Sequence, residues 1–232
     1  MTAYVLIHGA YQGGWIWQPV ANRLIGAGHT VSSPSLDGCA ERLGSLRTGI
    51  TTESHAAEIA QLLYYEDLTN VTLVGTSSGG MVLCRAAELM PERVGRLVFV
   101  DALALQDGER ISDFVNRAAG TTTALATGPS KEDLQTRLFA DLDPDLRAWA
   151  LSRVTLHPVA AMTEPVRLER FWSETWSAQV VYCRQSANPP EAHQRRTAEV
   201  LGASWHELDT GHYPMLSAPE ELAQILLDGP AG

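Results

Sequence analysis

The sequence predicts an α/β protein: a mostly parallel sheet covered by helices on both faces, with one helical insertion. Three observations carry this expectation. Short apolar runs alternate with segments of helical periodicity up to about residue 102, and again after residue 178. A Gly-x-Ser-x-Gly motif stands where one of those runs passes into a helical pattern. A histidine occupies the last loop between a strand and a helix. Apolar runs separated by helices are the signature of parallel strands buried on both faces.

The elements follow in order. Tyr4–Ile7 reads as a strand, Pro19–Ala27 as a helix with apolar Val20, Leu24 and Ile25, and His29–Ser32 as a second strand. Thr51 to Ser54 supply capping residues for a helix that carries Ala56, Ile59, Ala60, Leu62 and Leu63 on one face. Val71–Val74 is the next strand, followed by a helix from Met81 that ends before Pro91, and by the strand Val94–Val100. Between about Leu103 and Ala178 the alternation fails. Helical patterns at Lys131–Ala140 and Pro144–Val154, with Phe114, Phe139, Trp149, Phe171, Trp172 and Trp176, predict a helical cap over the strand ends. The sheet resumes with Gln179–Cys183, a helix over Gln194–Leu201, a strand over Ser204–Leu208 and a terminal helix over Pro219–Leu227. The expected organisation is therefore a core of residues 1–102 and 179–232, with residues 103–178 inserted as the cap.

Composition narrows the function. A chain of 232 residues that is 45% hydrophobic can bury about 70–75% of its unfolded surface in one domain. A net charge of −10 disfavours nucleic acid and anionic membranes, both of which attract basic surfaces. The partner expected instead is a small-molecule substrate, with a homodimer left open. The N-terminal residues carry neither a charged leader region nor a long apolar span, which predicts a cytoplasmic protein. Cys39, Cys84 and Cys183 are odd in number and widely spaced, so neither a disulfide framework nor a zinc site is expected.

The chemistry-bearing residues are few. Gly75-Thr-Ser-Ser-Gly-Gly80 puts Ser77 at the apex of a turn so tight that Gly75 and Gly79 must lack side chains. A serine hydroxyl needs a base to accept its proton, and His212, in Asp209-Thr-Gly-His-Tyr-Pro-Met-Leu216, is the candidate. The other histidines have structural readings, with His193 expected on a helix surface. An oxyanion hole needs two backbone N–H groups. Ser78 supplies one, and Ala10, in the loop His8-Gly-Ala-Tyr-Gln-Gly-Gly-Trp15, supplies the other. Phe114, Trp149, Trp172 and Tyr11 are the candidates for lining a substrate pocket. Neither a dinucleotide fingerprint nor a phosphate-binding lysine loop is present in that glycine-rich stretch, and no cofactor or metal is expected.

His8-Gly-Ala-x-x-Gly-Gly-Trp15-x-Trp17, the motif around Ser77, Phe99-Val-Asp101-Ala, Thr163-Glu-Pro-Val166 and Gly211-His-Tyr-Pro-Met-Leu216 together resemble the plant methylesterase and hydroxynitrile lyase branch of the α/β-hydrolases and its bacterial relatives. The resemblance covers nearly the whole chain and implies an α/β-hydrolase fold, metal-free ester chemistry and a cap that shapes an apolar acyl pocket. The lyases of that branch resemble one another in carrying Thr after the first His of the loop. Gly9 stands there in this chain, as in the esterases.

The chain departs from that branch at the acid. The region after Cys183 reads Arg184-Gln-Ser-Ala-Asn188-Pro-Pro, with no carboxylate until Glu191. Asp101, at the end of the Val94–Val100 strand, is the substitute, at a position that resembles the acid site of haloalkane dehalogenases. Glu191, Asp209, or Asn188 or water in place of an acid remain as alternatives. The expected activity is a carboxylesterase-like serine hydrolase acting on a small, rather apolar ester, thioester or lactone. Its rivals are a biosynthetic enzyme that uses Ser77 and His212 for non-hydrolytic proton transfer, cyclisation or elimination, and a binding protein without turnover.

Overall fold

The computed structural model describes residues 1–115 and 120–229. The expected cap and core ranges thus each include residues outside that set. Strands β1 (Ala3–Ile7), β2 (Thr30–Ser32), β3 (Val71–Ser77) and β4 (Val94–Ala102) lie in one sheet with Ala178–Cys183 and Ser204–Leu208. The order is β2-β1-β3-β4, then those last two strands, and every pairing is parallel.

Successive residues of each strand serve opposite layers, because side chains alternate across a pleat. Val5 and Ile7, Leu73, Leu97 and Phe99, and Val180 belong to one core. Tyr4 and Leu6, Val74, Val98 and Val100, and Val181 belong to the other. Both faces are apolar, so both need cover. Helix α1 (Gln18–Gly26) buries Val20, Ala21 and Leu24 on the second face. On the first face, α2 (Thr52–Tyr65) packs beside α3 (Gly79–Leu89). The start of α2 is fixed by a capping box, in which Thr51 Oγ1 accepts the Ser54 N–H and Ser54 Oγ accepts the Thr51 N–H.

The segment between β4 and the next sheet strand is not purely helical. It contains a small antiparallel sheet of β5 (Thr121–Thr122), β6 (Ala126–Gly128) and β7 (His157–Pro158). Strands of two or three residues are too short for an alternating pattern to show in sequence. The helix expected over Lys131–Ala140 is one α turn, α4 (Lys131–Asp133), that widens into a π turn at Leu134–Leu138. It is closed by Phe139 N–H donating to Leu134 O at 2.9 Å. Helices α5 (Pro144–Leu151) and α6 (Val159–Thr163) complete the segment. Its end is tied to the core by buried Glu88 of α3, which accepts the backbone N–H groups of Arg170 and Phe171 and pairs with Arg85 at 2.6 Å.

The sheet then continues as β8 (Ala178–Cys183), α7 (Glu191–Leu201) and β9 (Ser204–Leu208), ending in α8 (Pro214–Ser217) and α9 (Pro219–Asp228). Helix α9 packs against α1. From β1 the chain steps to β2 on one side and to β3 on the other, so the C-terminal ends of β1 and β3 form a topological switch point, where open α/β sheets bind ligands.

The turn from β3 into α3 leaves no space for side chains. A methyl group on Gly79 would stand 2.6 Å from His8 O and 2.7 Å from Ile7 O. Gly79→Ala is therefore expected to lower stability by about 1–3 kcal/mol. Gly26→Ala, at the end of α1 with nothing within 4 Å, is expected to be neutral or slightly stabilising. Urea unfolding of the two variants checks the contrast.

Candidate active site

The C-terminal end of β3 positions Ser77. Its backbone is left-handed, φ +52°, a conformation that costs a non-glycine residue roughly 1–2 kcal/mol. Close packing holds it there. A side chain on Gly75 would meet Gly79 O at 2.8 Å, and one on Gly9 would meet Ser77 Cβ at 2.6 Å. Leu103 N–H donates to Ser77 O at 2.9 Å.

Asp101 reaches its place through an irregularity in β4. Thr76 pairs with Val100 but Ser77 with Ala102, so Asp101 is the extra residue of a bulge, with φ +43°. Bulges re-aim side chains, and this one brings Asp101 toward the loop after β9. There Asp101 Oδ2 lies 2.5 Å from His212 Nδ1. Its other oxygen, Oδ1, accepts from Gln194 Nε2 of α7 at 2.6 Å. Asp101 is fully buried and His212 nearly so.

A carboxylate at Nδ1 favours the tautomer protonated there, which leaves Nε2 as the basic nitrogen of the neutral ring. The histidine loop has two further anchors. Gly211 N–H donates to Asp141 Oδ2 at 2.8 Å, and the His212 ring packs on Tyr213, with centroids 4.6 Å apart. Ser186 Oγ lies 3.4 Å from His212 Nδ1. The alternative carboxylates lie elsewhere. Glu191 pairs with Arg195 at 2.7 Å, and Asp209 is exposed beside Arg184 and Gln185.

The loop after β1 carries Ala10 past Ser77 to the same cavity. Its geometry is held by His8, whose Nε2 accepts the Leu36 N–H at 2.9 Å while Nδ1–H donates to Gly9 O at 2.7 Å. Burial pushes the His8 pKa down to about 4, so this imidazole is neutral. Ser78, the N-cap of α3, borders the same cavity as Ala10.

Ser77, Ser78, Ala10, Tyr11 and His212 all border one cavity of about 410 Å³. Its remaining wall mixes aliphatic Leu103, Ile111, Val115, Leu138 and Met162 with polar Thr122, Thr127, Asp133, Arg137 and Asn188, beside Tyr213. Of the aromatics expected to line it, only Tyr11 does so. Trp149 packs edge-on against Trp15 at 5.3 Å and under Arg153. Trp172 donates Nε1–H to Leu105 O at 3.1 Å and packs edge-on on Phe171. Phe114 lies against the His193 ring at 4.6 Å and under Arg196. Each ring is held by a partner outside the cavity, which corrects the expectation for all three.

His193 is also not a surface residue. It is buried, its Nε2 accepts the Ala104 N–H at 3.0 Å, and burial lowers its pKa to about 4. The three cysteines are free and buried, and burial pushes the Cys39 thiol up to about 12. Among the described residues, no three His, Cys, Asp or Glu side chains converge as a metal site. Gln194 and Tyr213 escaped the sequence reading. Tyr213 adjoins His212 in the motif and could have been found there, whereas Gln194 reaches Asp101 only through the fold.

Comparison with known proteins agrees with this architecture. A family model described as the alpha/beta hydrolase family matches residues 4–225. A carbendazim hydrolyzing esterase from a Nocardioides species is 33% identical over 118 residues, 51% of this chain and 49% of that protein. Methylesterase 3 of Arabidopsis thaliana is 26% identical over 258 residues, covering 97% of this chain and 94% of its own. Among solved structures, an extracellular alpha/beta-hydrolase from a Paenibacillus species matches with a TM-score of 0.86 at 19% identity, over 100% of both chains.

The buried histidines give stability a defined pH dependence. Folded His8 and His193 titrate near 4 and unfolded histidine near 6.5, so between those values the unfolded chain binds protons that the folded protein does not. Their contribution is complete above about pH 6.5 and is lost as pH falls toward about 4, by on the order of 3 kcal/mol per histidine. Arg196 beside Glu109 holds that carboxyl below its usual range, which adds acid lability of the same sign. Urea midpoints measured between neutral and mildly acid pH should fall steeply across this window. A flat profile would contradict neutral burial of the two rings.

Proposed function

This chain belongs to the alpha/beta hydrolase family, and from that premise we propose that it is a serine esterase that cleaves a small, largely apolar ester through an acyl-enzyme on Ser77. The observation that carries the proposal is the approach of Asp101 Oδ2 to His212 Nδ1, 2.5 Å, beside a cavity that Ser77 also borders. In this reading Ser77 Oγ attacks the ester carbonyl carbon while His212 Nε2 takes its proton. Asp101 orients the ring and stabilises the imidazolium that forms. Gln194 in turn fixes Asp101 by donating to its free oxygen.

Negative charge then develops on the former carbonyl oxygen. The N–H groups of Ala10 and Ser78 are the proposed donors to it, and preorganised donors of this kind contribute about 3–4 kcal/mol each to transition-state stability. His212 returns the proton to the departing alcohol. A water molecule deprotonated by the same imidazole then attacks the acyl carbon and releases the acid. The scheme uses no cofactor.

Two features support an ester of modest size. A cavity of about 410 Å³ suits a small molecule, and the aliphatic part of its wall, Leu103, Ile111, Val115, Leu138 and Met162, favours an alkyl or acyl chain. The absence of a side chain at Gly9 supports the esterase over the lyase chemistry of the same branch. A threonine in that place would have its Cβ 2.6 Å from Ser77 Cβ. A cytoplasmic setting is part of the proposal, supported by the three free, buried cysteines.

Two outcomes are expected. A fluorophosphonate probe should leave its adduct on Ser77 by mass spectrometry, and Ser77→Ala should lose both the adduct and p-nitrophenyl ester turnover. Labelling without turnover of any ester would favour a non-hydrolytic use of the same residues. Asp101→Asn should lower kcat by ~10,000-fold with little change in KM, the cost seen when the acid of such a triad is neutralised. A much smaller loss would remove Asp101 from the proposed role.

A further inference from the structure

The wall of the cavity contributed by the segment between β4 and β8 contains a feature that ester cleavage does not use. Asp133 and Arg137 both line the cavity and form a two-pronged pair, Nε to Oδ1 and Nη2 to Oδ2, each at 2.6 Å. Apart from His212, they are the only ionisable side chains of opposite charge among the described residues that line it. Asp133 is buried, and the Arg137 side chain is 30% exposed.

Stability gives little reason for the pair. An exposed ion pair four residues apart on a helix is worth only about 0.3–0.5 kcal/mol, and for a partly buried pair an apolar replacement of similar volume is commonly as good or better. What the pair supplies is direction. The guanidinium is planar with five N–H donors in fixed positions. Engaging Nε and one hydrogen of Nη2 with Asp133 locks the plane, and leaves both hydrogens of Nη1 and the second of Nη2 with no acceptor among the described residues. Those donors belong to a side chain that borders the substrate cavity.

We propose that Arg137 is a specificity residue whose spare N–H groups hold an uncharged hydrogen-bond acceptor on the substrate, remote from the scissile ester. This rests on the esterase reading of the same cavity and names the substrate class within it: an ester whose chain carries a second neutral oxygen, such as a ketone, ether or further ester. The charge of the pair sets the preference. Arg137 with Asp133 is net neutral, so a carboxylate drawn to the guanidinium also meets the field of Asp133, and a cation finds both Asp133 oxygens already engaged. A neutral carbonyl takes the donors without either penalty. A fully alkyl ester offers those donors no acceptor, which is how a hydrogen-bonding site disfavours an analogue that lacks the group.

The test separates binding from turnover. Ser77→Ala protein is titrated by NMR with methyl octanoate, with methyl octanoates bearing one ketone at successive chain positions, and with a half-ester carboxylate of matched length. At least one keto ester should bind roughly 10-fold or more tightly than methyl octanoate, the range expected for a hydrogen bond to a charged donor, and no more weakly than the carboxylate. Replacing both partners, Asp133→Leu with Arg137→Leu, avoids leaving a lone buried charge and should abolish the preference while methyl octanoate still binds. Asp133→Asn with Arg137→Met serves the same purpose should the leucine pair unfold. No keto preference, a preference that survives loss of the pair, or tightest binding by the carboxylate would overturn the proposal. The same esters incubated with protein that retains Ser77 report on the esterase reading alone. A keto preference without hydrolysis would sink that reading and leave the subsite, and hydrolysis without a preference would do the reverse.

Discussion

The end of β1 and the start of α3 meet backbone to backbone, and the positions of the other site residues depend on that contact. At Gly79 no atom fits between the helix and the carbonyls of Ile7 and His8; at Gly9 none fits between the loop and Ser77. Removing side chains at these points gives up backbone rigidity in the unfolded chain. In exchange the strand, the turn and the loop are brought within a few ångströms. That proximity puts Ala10 beside Ser77 and Ser78 at the edge of one cavity. It also keeps Ser77 in a left-handed conformation that would relax if the neighbours receded.

The second strained residue, Asp101, shows how a sheet can deliver a side chain that regular pleating would send elsewhere. Without the bulge, the residue after Val100 would continue the alternation that sends Val98 and Val100 to one core and Leu97 and Phe99 to the other. With it, Asp101 turns toward His212 and is met from the other side by Gln194. A buried carboxylate without partners would be costly. Here both oxygens are occupied, so the charge is held without a cation. The loop after β8, free of an acid, is left to shape the cavity through Asn188 and Pro189.

The parts of this arrangement differ in how far the sequence disclosed them. The sheet strands were legible because burial on both faces makes each an uninterrupted apolar run. Ser77 and His212 were legible as candidate nucleophile and candidate base because each stands in a short motif at a strand–helix junction. Asp101 could be reached only as the carboxylate nearest the end of a strand, since a bulge has no sequence mark of its own. The segment after Leu103 was the least legible. Aromatic side chains serve packing and ligand walls equally well, and Phe114, Trp149 and Trp172 find histidine, tryptophan, phenylalanine and arginine partners away from the cavity. The residues that do border it, such as Ile111, Val115 and Met162, are ordinary aliphatics that no motif distinguishes. Gln194 and His193 were hidden for a related reason, because polar residues on an amphipathic helix look solvent-facing until a neighbour such as Asp101 or Ala104 is placed above them.

A division of labour follows from where the two kinds of residue are anchored. Ser77, Asp101, His212 and the loop through Ala10 are fixed by the parallel sheet, by tight backbone contacts and by buried hydrogen bonds, so their mutual geometry resists change in the rest of the chain. Most of the opposite wall comes from short turns, strands of two or three residues and a π turn, secured to the core at points such as the Glu88 contacts with Arg170 and Phe171. Substitution there alters the shape and polarity of the cavity while leaving the sheet untouched. A charged pair such as Asp133 with Arg137 can be carried on that wall at little cost to the core, because its two members neutralise one another and neither contacts Ser77 or His212 in the hydrogen-bonding pattern. On the proposed reading the sheet sets the chemistry and the insertion the choice of substrate, within a single cavity.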